Sequence, residues 1–149
     1  MARDIPLSEI TLRKYEKPYD FSKRELIRKI CLSLGLLQPG DSRDIIVDIF
    51  LVLEESRPSK QWLSSNEIKE KVQIVREKNS LDLKGLAESN VRRQLKRLRD
   101  SMFIDKKENQ YRISEFAPLT EIFFTKIEKF IIPQTIERIK EYLGKLESN

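Results

Sequence analysis

A cluster of basic residues between positions 88 and 100 is the part of this chain best suited to chemistry with an anion. Arginine and lysine bind phosphate oxygens, and arginine can also form paired hydrogen bonds with guanine. The basic residues here outnumber the acidic ones five to two. They are Arg92, Arg93, Lys96, Arg97 and Arg99. Because only Glu88 and Asp100 offset them, salt bridges along one helix leave a surplus of positive charge.

The apolar residues of the same segment predict an amphipathic helix. Val91, Leu95, Leu98 and Met102 are spaced by four, three and four residues, which forms one stripe of a 3.6-residue period. The opposite side carries Ser89, Arg93, Lys96, Arg97 and Asp100, with Arg92 and Arg99 on one flank. This positive face is long enough to enter the major groove of DNA.

Two short runs follow the basic segment and predict a β-hairpin. Residues 103–107 and 110–114 have strand-like alternation, and the turn-prone pair Glu108-Asn109 separates them. Lys106 and Lys107 precede this turn. We therefore expect both lysines near the hairpin tip, where they can reach a nucleic-acid backbone or minor groove.

Two helices are expected in the first third of the chain. The first begins at a capping-box pattern, Ser22 with Glu25 three residues later, and ends at Gly35. The second contains residues 45–53, which are apolar on most sides of a helix. Such a helix is expected at the centre of the core.

The remaining elements position the basic helix and extend beyond it. Residues 62–63 predict a short strand, and a third helix is expected over residues 66–76, capped by Ser64-Ser65. A polar connector, residues 77–85, then leads to the basic helix. Thr120 is expected to cap a C-terminal helical region, and Pro133 to kink it or divide it into two helices.

The C-terminal region carries an apolar seam that predicts a homodimer. Ile136, Ile139, Leu143 and Leu146 are spaced by three, four and three residues, as in a short coiled coil. Two heptads alone are too short for stability, so the interface is expected to include Phe123, Ile127, Phe130 and Ile131 as well, or else the N-terminal helix. The alternative is that the same stripe packs on its own domain.

The arrangement resembles winged helix-turn-helix transcriptional regulators, a superfamily as widespread in archaea as in bacteria. The resemblance covers roughly residues 42–115. It depends most on Ser89, Leu95, Leu98 and Tyr111, which match the family's small residue opening the recognition helix, its two core leucines and its wing aromatic. The chain departs from the family at Ser101-Met102, where glycine is common, and in its long connector before the basic helix.

The resemblance implies a fold, a domain organisation and a function. The fold is mainly α with a small β-hairpin wing and N- and C-terminal helical extensions. Its parts are an arm and helix (1–40), a winged helix DNA-binding domain (41–116) and a dimerisation region (117–149). The implied function is sequence-specific double-stranded DNA binding in transcription regulation. The alternative is a winged helix adaptor that holds a larger complex together through protein contacts.

The resemblance also implies roles for individual residues in DNA recognition. In family docking, the first half of the recognition helix faces base edges. On this chain those positions are Ser89, Asn90, Arg93 and Arg97. Phosphate contacts, which orient the protein without reading sequence, are implied for Arg92, Lys96 and Arg99. Lys106 and Lys107 are the implied wing contacts.

The distribution of charge agrees with a polyanionic partner. The chain has a net charge of +5. Residues 1–40 and residues 87–115 each carry eight basic and five acidic side chains, a net +3, whereas residues 116–149 carry five of each. Positive charge is therefore concentrated in the N-terminal arm and in the basic helix with its hairpin.

The sequence gives little indication of a catalytic site, a cofactor site or a metal site. The chain has no histidine, no glycine-rich phosphate loop and no nucleophile elbow. We therefore expect no enzyme activity, no cofactor and no metal. Asp41, Asp44 and Asp48 share a helical spacing that a cation can use, but capping by Asp41 or Ser42 and pairing with the helix dipole are the preferred interpretation.

Cysteine content and hydropathy indicate the cellular environment. The single cysteine, Cys31, cannot form an internal disulfide and is expected to be a small buried apolar residue. The sequence lacks a run of 18 apolar residues and a signal-peptide pattern. We expect a soluble, cytoplasmic protein.

Overall fold

The computed structural model describes residues 4–149, which group into two compact units. Thr11–Ala117 form the first unit. Residues 4–10 together with Pro118–Asn149 form the second. The boundary expected at residue 40 falls inside the first unit, because the first helix packs directly on the second.

The first unit is mainly helical with a small antiparallel sheet, as expected from the sequence. Its helices are α1 (Lys23–Ser33), α2 (Ile45–Ser56), α3 (Ser65–Lys78) and α4 (Glu88–Asp100). Its strands are β1 (Leu63–Ser64), β2 (Ile104–Lys107) and β3 (Gln110–Ile113).

Helix α2 is the centre of the core, as its apolar composition predicts. It packs against α1, α3 and α4. Every residue from Ile45 to Leu53 is buried, and Val47, Ile49 and Phe50 are completely inaccessible to solvent. The other helices are amphipathic and each buries one face. The buried face of each helix is thus fixed by contact with α2 or its neighbours.

Local capping fixes where α1 and α3 begin. The backbone N–H of Glu25 donates to the Ser22 hydroxyl at 3.1 Å, as the sequence pattern predicts. At α3, Ser64 and Glu67 form a complete capping box, and these bonds lower the pKa of Glu67. After α1, Gly35 adopts a φ of +74°, a left-handed conformation that glycine accommodates without strain.

The prediction of which residue caps the N-terminus of α2 is wrong. Asp44, rather than Asp41 or Ser42, occupies the N-cap position. Its carboxylate bonds to arginine side chains instead of to the first turn of the helix. The backbone N–H of Arg43 bonds to Asp41, which organises the preceding loop.

The sheet has the order β1-β3-β2 and is antiparallel throughout. The predicted hairpin is present, with Glu108 and Asn109 as its two-residue turn between Lys107 and Gln110. Glu108 has a φ of 59°, which such a tight turn requires. The single-layer sheet packs on α2 and α3, and its β2–β3 hairpin follows α4 directly in the chain.

The second unit contains one long helical stretch. It comprises α5 (Leu119–Ile122), a π-helical segment (Phe123–Ile131) and α6 (Ile132–Glu147). Pro118, not the predicted Thr120, occupies the N-cap position. Ile131 and Ile132 both have helical backbone angles, so the stretch continues through Pro133 as a change in hydrogen-bond pattern instead of a break.

Candidate nucleic-acid interface

Helix α4 is held on the core by the predicted apolar stripe. Val91, Leu95 and Leu98 are completely inaccessible to solvent. Met102, the fourth predicted member, lies beyond the end of the helix in a left-handed conformation and is half-buried. The buried stripe of α4 therefore contains three residues, and the hairpin follows the helix directly in the chain.

The outward face of α4 is basic and exposed. Ser89, Arg92, Arg93, Lys96 and Arg99 are all exposed. Arg92 pairs with Glu88 and Lys96 pairs with Asp100, each at 2.9 Å, in i,i+4 geometry. These four side chains are all more than half exposed. Such pairs contribute about 0–1 kcal/mol, so a phosphate can displace the carboxylates at little cost.

Asn90 organises the start of α4 and has its amide group already occupied. Its Nδ2 donates to the Gly85 carbonyl at 2.8 Å. Its Oδ1 accepts from Arg93 at 2.7 Å and from Gln94 at 3.2 Å. To accept a hydrogen bond from a base edge, as its predicted position implies, Asn90 Oδ1 would have to give up these bonds. Its observed contacts instead join the connector to the helix.

Arg97 lies on the flank of α4 next to the end of α1. It is half-buried, and one guanidinium nitrogen donates to the Gly35 carbonyl at 3.3 Å. Another donates to Gln94 at 2.9 Å. These contacts hold α4 against the turn that follows α1. This differs from the expected position facing base edges, because Arg97 points towards the protein's own backbone.

The hairpin presents both predicted lysines. Lys106 and Lys107 are exposed on β2, opposite Tyr111 and Gln110 respectively. The Lys106 ammonium lies 5.8 Å from the centre of the Tyr111 ring. At the tip, the Ser65 hydroxyl donates to Asn109 Oδ1 at 3.3 Å. The tip is therefore short and attached to the start of α3.

A largely enclosed ionic cluster joins three helices of the first unit, and the sequence pattern does not predict it. It consists of Arg24, Asp44, Asp48 and Arg76 from α1, α2 and α3. Asp48 is completely inaccessible and Arg76 is 2% exposed. Asp48 accepts from Arg24 at 2.7 Å and from Arg76 at 2.6 Å. Arg76 also donates to the Asp82 carbonyl, which ties the connector to α3.

The cluster accounts for Asp44 and Asp48, two of the three aspartates whose spacing a cation could use. Burial raises the pKa of Asp44, but hydrogen bonds from Arg24 and Arg76 outweigh it, so that pKa lies below its usual value. Hydrogen bonds to Asp48 and, to a smaller extent, to Asp44 hold the pKa of Arg24 above its usual value. Arginine therefore supplies the positive charge that these carboxylates need. Within residues 4–149, no group of three potential ligands is arranged to hold a metal ion.

Arg112 on β3 lies against two aromatic rings at the base of the hairpin. Its guanidinium carbon lies 4.5 Å from the centre of the Trp62 ring and 4.8 Å from that of Phe116. Its Nε also donates to Asp105 at 3.0 Å. Arg112 thus stabilises the base of the hairpin instead of extending the basic surface.

The lone cysteine is part of the core, as expected. Cys31 is completely inaccessible, and burial raises the pKa of its thiol to about 12. A thiol held in the neutral form is a poor nucleophile and a poor metal ligand.

The predicted dimer residues differ in their exposure. Phe130, Ile136, Ile139, Leu143 and Leu146 are between 46% and 72% exposed. Phe123 is half-buried, and Ile127 is only 3% exposed, so its side chain is not available at the surface. The exposed part of the predicted interface therefore consists of Phe130 in the π-helical segment and four residues of α6.

No match to this chain is found among protein-family models, curated proteins or solved structures. Over the described part of the chain, no helix is both long enough and apolar enough to cross a membrane. The assignment of a function thus depends on the geometry and charge of the residues themselves.

Proposed function

We propose that the chain is a winged helix-turn-helix protein that binds duplex DNA sequence-specifically and regulates transcription. In this proposal α3 and α4 are the helix-turn-helix pair, α4 is the recognition helix and the β2–β3 hairpin is the wing. The order of elements from α2 to β3 and the β1-β3-β2 sheet support this proposal.

The observation that carries the proposal is the contrast between the two sides of α4. Its inner side contributes three completely inaccessible residues to the core. Its outer side presents four exposed cations, Arg92, Arg93, Lys96 and Arg99. A helix about 10–12 Å across fits a major groove about 12 Å wide. The outer side is therefore suited to a polyanion that accepts a helix.

Within this surface Arg93 is the best candidate for reading a base. It lies opposite the buried stripe in the first half of α4, the half that faces base edges in family docking. Its hydrogen bond to Asn90 uses one of five guanidinium donors and orients the side chain. Arg92, Lys96 and Arg99 are placed for phosphates on the outer side and flank of the helix.

Selection of bound sites from a random duplex pool tests specificity, and a salt titration tests the mode of binding. We expect the pool to converge on a common sequence. We also expect log K to fall linearly with log salt, by about 0.9 per phosphate contact. Salt-insensitive binding, or no binding to duplex DNA, would favour the alternative protein adaptor.

We also propose that the exposed stripe of α6 joins two copies of the chain. Ile136, Ile139, Leu143 and Leu146 follow coiled-coil spacing, and each is about half or more exposed. Residues 116–149 carry five basic and five acidic side chains, so two copies can approach without net repulsion. A two-fold dimer is suited to two DNA half-sites about one helical turn apart.

Light scattering tests the dimer. Replacing Ile139 and Leu143 with glutamate should give a folded monomer, because charges within the stripe repel across the interface. Lys145→Glu adds negative charge beside the stripe and is the matched control, which should remain dimeric. A parent protein that is monomeric at high micromolar concentration would contradict the proposal, as would unfolding of the double variant.

A further inference from the structure

An extended segment ahead of α1, residues 11–16, is fastened along that helix. We call it the N-terminal strap. The backbone N–H of Arg13 donates to the Ser33 carbonyl at 2.8 Å. The Arg13 guanidinium donates to the Leu32 carbonyl at 2.9 Å and to Gln38 Oε1 at 2.8 Å. One residue thus ties the strap to the end of α1 and to the loop that follows.

The other end of the strap is held further back along α1. Glu16 forms an ion pair with Lys29, which lowers the pKa of Glu16. The Lys29 ammonium also lies 5.0 Å from the centre of the Tyr15 ring. With anchors at both ends, the strap has a defined position beside α1 and is not a free tail.

The strap meets α4 through the turn at Gly35. A Cβ on Gly35 would lie 2.6 Å from the Cβ of Thr11, so the strap passes directly over this residue. The Gly35 carbonyl accepts the hydrogen bond from Arg97 of α4. The strap therefore contacts the Gly35 turn at Thr11, and the same turn is bonded to Arg97 on one flank of α4.

Lys14 is the strap cation that this geometry leaves facing solvent. In an extended chain successive side chains point to opposite sides. Arg13 faces the end of α1, so Leu12 and Lys14 point away, and both are exposed. Lys14 is three residues from Thr11, a span of about 10 Å.

A helix that fills the major groove has a phosphate backbone on each flank. The two flanks of α4 differ in how many exposed cations they carry. One flank carries Arg92 and Arg99, both exposed. The other carries Asn90, Gln94 and Arg97, which are half-buried and bonded to one another or to neighbouring backbone. Arg97 is the one cation among these three, and its guanidinium is bonded to Gln94 and Gly35, so a phosphate on that flank is bound more strongly if a cation from another part of the protein also reaches it.

We propose that the strap supplies this cation, and that Lys14 binds a backbone phosphate on the Arg97 flank of α4. The inference rests on the proposed binding of duplex DNA by α4. It extends the interface from the helix and hairpin to a segment near the N-terminus. The strap then has a role in binding as well as in covering α1.

Lys14→Ala in the full chain tests this contact by salt titration on a selected duplex. We expect the slope of log K against log salt to become shallower by about 1, with the same loss of affinity for every sequence. Lys14→Arg should restore the slope. Lys145→Ala removes the same charge from α6, and Leu12→Ala alters the strap without changing charge. Neither control should alter the slope.

Three results would overturn the inference, and they are distinguishable. An unchanged slope for Lys14→Ala, when Arg92→Ala makes it shallower, removes the strap from the interface and leaves DNA binding by α4 intact. If Lys14→Ala and Lys145→Ala change the slope equally, the change reflects the net charge of the chain and not a contact made by Lys14. A parent chain without salt-dependent binding to duplex DNA would overturn the proposed function itself.

Discussion

Two groups of charged side chains in the same compact unit are organised in opposite ways. Arg24, Asp44, Asp48 and Arg76 form a cluster of two arginines and two aspartates, with Asp48 and Arg76 buried. On α4, five basic side chains face two acidic ones, and four of the cations are exposed. The four residues of the first group are matched in charge and largely enclosed, whereas the second group has a surplus of charge open to solvent.

The difference follows from the free energy of removing a charge from water. A buried ion costs several kcal/mol of desolvation unless an opposite charge and hydrogen bonds replace the lost water. The buried cluster must therefore be matched within the protein. An exposed cation keeps its water, so its partner can be another molecule. Identical residue types thus serve the fold in one region and remain available for recognition in the other.

The largest expected effect comes from breaking the buried cluster. Asp48→Ala leaves Arg76 buried with part of its compensation removed, and we expect it to reduce the free energy of unfolding by about 3–5 kcal/mol. Chemical denaturation measures this loss. Asp20→Ala, at an exposed site, is the matched control and should change stability by less than about 0.5 kcal/mol. An equally small loss for Asp48→Ala would mean that the cluster is not buried.

The sequence predicted α4 and its surroundings well because their signals are local. A helical stripe, a capping box and a two-residue turn each depend on residues within a few positions of one another. Val91, Leu95 and Leu98 were all identified, as were the hairpin and its turn. The direction of the exposed cations follows from the same periodicity, so most of the basic surface was identified as well.

The buried cluster and the contacts of Arg97 were missed because their partners are distant in the chain. Arg24 and Asp48 are 24 residues apart, and Arg97 and Gly35 are 62 apart. Helical spacing alone placed Asp44 and Asp48 at the start of a helix and Arg97 on the outward side of α4. Which of these side chains is enclosed depends on how α1 and α3 pack on α2. Periodicity within one helix carries no information about that packing.

On the exposed side, Arg93 should have the largest effect on DNA recognition and little on stability. We expect Arg93→Ala to weaken binding to a selected site by about 1–3 kcal/mol and to relax preference at one base pair. Competition binding against single-base variants of the site measures both. Arg93→Lys keeps the charge but loses the paired hydrogen bonds, so it should recover affinity without recovering preference. If preference survives both changes, another residue reads that base pair.

Replacing Lys96 should lower affinity for DNA without changing base preference, and its effect should be smaller than that of Arg93→Ala. Lys96 lies on the same face as Arg93 but is placed for phosphate, so Lys96→Ala should weaken all duplexes about equally and make the salt slope shallower by about 1. Its exposed pair with Asp100 implies a stability loss of less than about 1 kcal/mol. Thermal unfolding and salt titration of the same variant measure the two effects. A change in base preference would instead show that Lys96 contacts a base.

The smallest expected effect is a difference in how the two regions respond to acid. The pKa of folded Asp44 lies below its usual value, because its bonds to Arg24 and Arg76 outweigh the effect of burial. The unfolded chain therefore takes up this proton first as the pH falls. The contribution of Asp44 to stability is complete above its unfolded pKa of about 3.9 and is lost as the pH drops through the lower, folded value.

Denaturant unfolding between pH 7 and pH 2 measures this contribution. Asp44→Asn should unfold more easily at pH 7 and lose less stability than the parent as the pH falls. Exposed Asp20→Asn is the control and should follow the parent curve. Equal acid sensitivity of the Asp44 variant and the parent would show that the ion pairs of Asp44 contribute nothing. The charge of the exposed basic face of α4 should not change between pH 5 and pH 8, because the chain has no histidine, the one side chain that ordinarily titrates there. An acid-dependent loss of binding at pH 3–4 should therefore follow unfolding of the buried cluster, not titration of the exposed cations.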